Sequence, residues 1–251
     1  MFLSKHDLKL AYGVDLQIAS AFVDRKVPFK NLYWKGREIY TPSAPGYYFM
    51  PIYSDLLFRC GASKEYLLSD EYFFISENIL HSAALLEHEI VTWEKHVQEI
   101  FDFIIPYIKR PELFTHLKRY FAEPILKKDN SSFLGTDFPS LNRADSYLLI
   151  LACIPSNDFN EQKAIKSWYA LMTYFLILDD LADIKDDLIK IQENVLIDAG
   201  LNESGIKIIY NMIANSYDYL STVNPVMANR IDHKRETMDL HKLLKSIISQ
   251  S

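Results

Sequence analysis

Apolar residues recur at three- and four-residue steps through most of this chain, the spacing that turns one face of an α-helix toward a core. Leu8, Ala11, Val14, Ile18 and Phe22 follow that spacing and predict a first helix over 5–24, running through Gly13. The spacing is lost over 28–60, where Pro28, Gly36, Pro42, Pro45, Gly46 and Pro51 alternate with Tyr and Phe. That stretch reads as irregular, either a short hairpin turning at Gly36 or a packed aromatic loop. Helical spacing returns at Ser63. Residues 69–104 contain neither Pro nor Gly and carry Ile79, Leu80, Ala83, Leu86, Ile90 and Trp93, which predicts one long helical stretch. Pro106 and Pro111 end it, and Pro111 suits the first turn of a helix reaching about Phe121. A polar loop over 127–142 follows, then a short apolar helix over 144–154 closed by Pro155. A long helix is predicted from Glu161 to about Ile191, with Asn157 and Asp158 as caps. Gly200 and Gly205 bracket a break, residues 206–222 form a further helix, and Pro225 starts or precedes the last ones.

The sum is an all-α chain, a single compact multi-helix bundle over 1–251. Residues 1–62 are its aromatic- and proline-rich part and 63–251 the bundle proper. Sixteen Tyr and fifteen Phe suit a large core or an apolar cavity. A net charge of −6, without a basic patch, repels nucleic acid and argues against it as a partner. Cys60 and Cys153 are far apart and lack metal or redox spacing, so buried free thiols are expected. No apolar run reaches the ~20 residues of a membrane span, and the charged start is unlike a signal peptide, so a cytoplasmic location is expected. Fingerprints of serine hydrolases, P-loop proteins, dinucleotide binders and zinc proteases are absent from the sequence. His81 and His88, seven residues apart with His96 near by, lack the Glu-x-x-His pairing of di-metal bundles and read as surface or hydrogen-bonded histidines. His233, Glu236 and His241 read as solvated helix residues.

One stretch concentrates chemistry. The apolar helix from Trp168 to Leu178 turns abruptly acidic at Asp179, Asp180, Asp183, Asp186 and Asp187. Asp179 and Asp183 share a helix face, which Asp186 extends by another turn. Like charges at this spacing cost roughly 0.2–0.5 kcal/mol per pair, and Asp is a poor helix former. A divalent cation would offset both costs, and Mg2+ takes a few carboxylate oxygens while keeping water or substrate phosphate in its other positions. The bland alternative is a solvated acidic face where a core helix emerges.

The run Phe175-x-x-x-Asp179-Asp180-x-x-Asp183 resembles the second aspartate-rich motif of class I isoprenoid synthases, the trans-prenyltransferase and terpene synthase superfamily, with Leu176 where that motif has Gln. The resemblance implies a terpenoid-synthase-like bundle around a deep apolar cavity, and transferase or cyclase chemistry on a prenyl diphosphate or a similar lipid-like molecule. It implies Mg2+ as cofactor and Asp179, Asp180 and Asp183 as its ligands. The family also uses a facing acidic motif well upstream. No second DDxxD exists here; the segment from Ile79 to Glu89 has a similar lead-in and offers Glu87 and Glu89 in its place. Arg143 and Lys185, with Lys35 and Arg37, are candidates for diphosphate contacts, and Phe175 for the substrate wall. The alternative is a non-catalytic helical relative that keeps the bundle and holds a lipid or a protein partner.

Overall fold

The computed structural model describes residues 4–26, 30, 49–122, 128, 133–155, 157–237, 239, 240 and 242. Among them the chain is all-helical, with no strand. Lys35, Arg37, His241 and the turn expected at Gly36 lie outside the described residues.

The first expected helix is two. Helix α1 (Lys5–Tyr12) opens on Ser4, whose hydroxyl accepts from the Asp7 amide while the Asp7 carboxylate accepts from the Ser4 amide. It closes on Gly13 at φ +65°, left-handed backbone that suits glycine. A Cβ there would also stand 2.6 Å from Asn224 Oδ1. Helix α2 (Leu16–Asp24) restarts on Asp15, whose carboxylate accepts from the Gln17 and Ile18 amides. Phe49–Arg59, expected to be irregular, is helix α3. Pro51 falls in its first turn, where no intrahelical donor is needed. A single turn, α4 (Lys64–Leu67), leads into α5 (Asp70–Glu87).

The expected long helix over 69–104 is broken as well. His88 ends α5, Glu89 takes φ 56°, and Thr92 caps α6 (Trp93–Ile104) by accepting from the Lys95 amide. Helix α7 (Pro111–Phe121) starts at its proline as expected. Helix α8 runs over Glu161–Lys190, capped by Asn160 rather than by Asn157 or Asp158. After it come α9 (Val195–Ala199), α10 (Glu203–Val223) and α11 (Pro225–Thr237). Gly205 lies inside α10 rather than at a break, and glycine is needed there because the Gly200 carbonyl oxygen occupies the place of a Cβ.

The centre is Asp145–Cys153, a 3-10 helix in which every residue is buried. Such helices rarely exceed 3–4 residues, so tertiary packing sustains this one. It packs against α5, α6, α7 and α8. Helix α8 is the long axis and also meets α3, α9 and α10. Between these elements the rings of Tyr147 and Trp168 stack at 5.7 Å, and Tyr53 meets Trp168 edge-on at 4.9 Å. One apolar cluster extends from Leu8 to Leu240. Cys60 and Cys153 are buried free thiols, as expected. No described helix is long and apolar enough to cross a membrane.

Asp145, the first residue of the 3-10 segment, is fully buried and accepts three hydrogen bonds: Tyr120 hydroxyl at 2.6 Å, Tyr169 hydroxyl at 2.7 Å and Trp168 Nε1 at 2.9 Å. Burial pushes its carboxyl up to about 7, against the pull of those donors. Losing one donor is a smaller loss than stranding all three. Tyr120→Phe is expected to cost about 1 kcal/mol in urea unfolding, and Asp145→Ala at least about 3 kcal/mol. Equal costs would show that the carboxylate does not organise this contact.

Candidate functional site

Helix α8 changes character along its length. From Trp168 to Ile177 its side chains are buried apart from the partly buried Tyr169, while Lys185, Asp186 and Leu188 to Lys190 are exposed. At the changeover a cleft of about 580 Å³ opens. All five aspartates of the acidic run line it, with Lys190. Glu87 and His88, from the end of α5, line it from another helix. Arg143, Gln192 and Glu193 complete the lining.

The aspartates have different fates. Asp180 is only 2 % exposed. Its carboxylate accepts from Arg143 Nη2 at 2.6 Å and from the Val195 amide at 2.6 Å. Asp187, also buried, accepts from Asn194 Nδ2 at 2.8 Å, and the same amide group donates to the Asp180 carbonyl at 2.9 Å. These two acids hold the start of α9 against α8. Arg143 is fixed from behind by donating to the Ser140 carbonyl at 2.7 Å.

Asp179 is half-buried and lies 3.6 Å from the Arg143 guanidinium. Its carboxyl is pushed up to about 7, first by desolvation and then by Asp180, Asp183 and Asp187, with Arg143 opposing. Asp180 is also raised, again by burial first, with Arg143 and the Val195 amide pulling it down. Asp183 is half-buried and Asp186 exposed. Among the described residues, no three His, Cys, Asp or Glu side chains stand close enough to form a metal site as they are placed.

The other expected site residues divide. Arg143 and Glu87 line the cleft. Glu89 and Lys185 are exposed and not among its lining, and Phe175 is buried in the core one turn before Asp179. His96 stands apart on α6, fully buried, with Nδ1 bonded to the Ser82 hydroxyl at 2.8 Å. Burial lowers its pKa to about 4, so it is neutral at pH 7. Lys190, Gln192, Glu193 and Asn194, all in the cleft region, went unsignalled in the sequence reading, and His88 was expected only as a surface or hydrogen-bonded histidine. Asn194 was findable: an Asn directly before Val195-Leu196 is an N-cap pattern, and its side chain does accept from the Leu196 amide.

The raised Asp179 pKa sets a sign. Between about pH 4 and 7 the folded protein holds a proton that the unfolded chain releases. Asp179 therefore contributes stability that is present below the unfolded value and is lost as pH rises through about 7. Asp179→Asn should gain on wild type by roughly 1–2 kcal/mol between pH 5 and pH 8, after discounting for solvent screening. Asp180→Ala, which strands the buried Val195 amide and removes the nearest acid from Arg143, should cost about 3 kcal/mol at pH 7. Denaturant melts at both pH values check the pair, and an unchanged pH slope in Asp179→Asn would contradict the crowding of these acids. No protein-family model, curated protein or solved structure matches this chain.

Proposed function

We propose that the acidic cleft binds a Mg2+-complexed prenyl diphosphate, in the manner of a class I isoprenoid synthase. The observation that carries this reading is that Asp179 and Asp183 on α8 and Glu87 on α5 line one open cleft. These are hard oxygen donors from two helices, the kind Mg2+ takes. Desolvation first, and then the neighbouring Asp180, Asp183 and Asp187, raise Asp179, and a divalent cation would offset that cost of ionising it. Bound there, Mg2+ would neutralise charge on a departing diphosphate.

The protein's own groups have separate tasks in this reading. Asp179, Asp183 and Glu87 would hold the cation, drawing together from their present rotamers. Asp180 is already engaged by Arg143 and the Val195 amide, so it positions Arg143 and the start of α9. Arg143, at the cleft, offers the guanidinium that suits a diphosphate oxygen.

The second reading, a non-catalytic helical binding protein, draws on a specific observation. The interior beside α8 is filled by the rings of Trp168, Tyr53 and Tyr147, and Arg143 is already paired with Asp180.

Thermal melting separates the two. A ligand that binds only the folded state stabilises it by about 2.7 kcal/mol at a hundred times its Kd. Mg2+ together with geranyl or farnesyl thiodiphosphate is expected to raise the melting temperature by several degrees in wild type. Neither component alone should do so, and the shift should shrink in Asp179→Asn and Asp183→Asn, which leave the Asp180 contacts in place. Absence of any shift across these chain lengths would leave the cleft as a solvated acidic face and favour the second reading.

A further inference from the structure

A second groove, of about 730 Å³, lies at the other end of α8. Lys163, which lines it, precedes Asp179 by sixteen residues on one helix, roughly 24 Å at 1.5 Å per residue, so the groove is separate from the acidic cleft. Its walls come from the first turns of α8, the last part of α10 and the segment from Phe133 to Gly135. Its charge is the reverse of the cleft's. Lys128, Lys163 and Lys166 line it, and no carboxylate is among its described lining residues. Asp137 lies 3.2 Å from Lys128 and offsets that lysine, while Glu161 lies 3.7 Å from Arg110, outside the groove; Asp158 and Asp218, also near in sequence, are not among the lining, so Lys163 and Lys166 carry the groove's charge. Lys163 and Lys166 are both exposed and one turn apart, which puts two ammonium groups on one side of the helix.

The aromatic walls are held in place. Tyr219 donates its hydroxyl to the Lys163 carbonyl at 2.8 Å, and its ring lies 4.7 Å from the Lys166 ammonium. Tyr169 donates to buried Asp145 and accepts from the Gly135 amide at 2.6 Å. Neither ring is free to collapse into the groove without breaking those bonds. Phe133 adds apolar surface at 63 % exposure. Two cations beside pre-positioned rings, in a chain of net charge −6, make a local site for an anion carried on an apolar body.

We propose that this groove binds a small organic anion. Its carboxylate or phosphate head lies between Lys163 and Lys166, and its flat unsaturated or aromatic body lies on Tyr169, Tyr219 and Phe133. A lysine ammonium is a point charge and accepts either head group. Binding here does not depend on the acidic cleft.

The test titrates the full chain with 1-naphthyl phosphate, 1-naphthoate and uncharged 1-naphthalenemethanol, read by isothermal calorimetry. At least one anion is expected to bind saturably, and the alcohol at least about tenfold more weakly. The double variant Lys163→Gln, Lys166→Gln is expected to lose at least about tenfold in affinity at an unchanged melting temperature. A charge-matched control on other helices, Lys95→Gln with Lys207→Gln, is expected to bind as wild type does. The stronger of the two anions identifies the head group. The proposal is overturned if neither anion saturates at millimolar concentration, if the alcohol binds equally well, or if the control loses as much affinity as the double variant.

Discussion

Burying a carboxylate costs several kcal/mol unless donors meet it, and the acidic end of α8 is built around that requirement. Asp180 is 2 % exposed, and its two donors come from distant parts of the chain: Arg143, which follows the 3-10 turn Pro139–Asn142, and the Val195 amide at the start of α9. Satisfying one side chain thus ties three segments together. Asn194 doubles the tie through the Asp180 carbonyl and Asp187, and the Ser140 amide donates to Asp198 at 3.2 Å to close the ring. The same solution recurs elsewhere. Asp55 is buried and meets Arg59 at 2.6 Å and the Asp15 amide at 2.8 Å, joining α3 to the α1–α2 turn. Glu77 is buried against Arg25 at 2.6 Å. Asp145 gathers α7 and α8 onto the central 3-10 helix.

Helix α8 was legible because thirty residues run without Pro or Gly behind an Asn, and α7 and α11 because proline marks their starts. The breaks at Gly13 and at 88–92 were not legible. Apolar spacing continues across both, since the helices on either side face a common core. Helix α3 was hidden by Pro51, which reads as a breaker but is harmless in a first turn. The acidic run was conspicuous, yet its members' separate fates were not written in it. Asp180 is paired because Arg143 arrives from 37 positions upstream, and Asp187 because Asn194 folds back over it. Asp145 went unmarked because its partner Tyr120 lies 25 positions away. Of the two glutamates expected to face the aspartates, Glu87 lines the cleft, while Glu89 falls in a left-handed turn just beyond α5.

Helix α8 emerges as a bar with unlike ends and an apolar middle. Its N-terminal turns carry Lys163 and Lys166 beside Glu161, and its C-terminal turns carry five aspartates beside Lys185 and Lys190. The helix dipole adds roughly half a positive charge at the first end and half a negative charge at the second. Under the proposed readings, an anion sits at the first end and a cation at the second, so backbone and side chains act with the same sign at each. The buried rings of Trp168, Tyr147 and Tyr53 lie between the ends and hold the helix in register with α3 and the 3-10 segment.

The most direct measurement is a crystal structure grown with Mn2+ in place of Mg2+ and farnesyl thiodiphosphate, with data collected at the manganese absorption edge. The expected result is an anomalous peak in the acidic cleft at about 2.1 Å from carboxylate oxygens of Asp179 or Asp183, with diphosphate density reaching Arg143. A cleft without an anomalous peak at saturating metal and analogue, with Arg143 still paired to Asp180, would contradict a diphosphate-binding role.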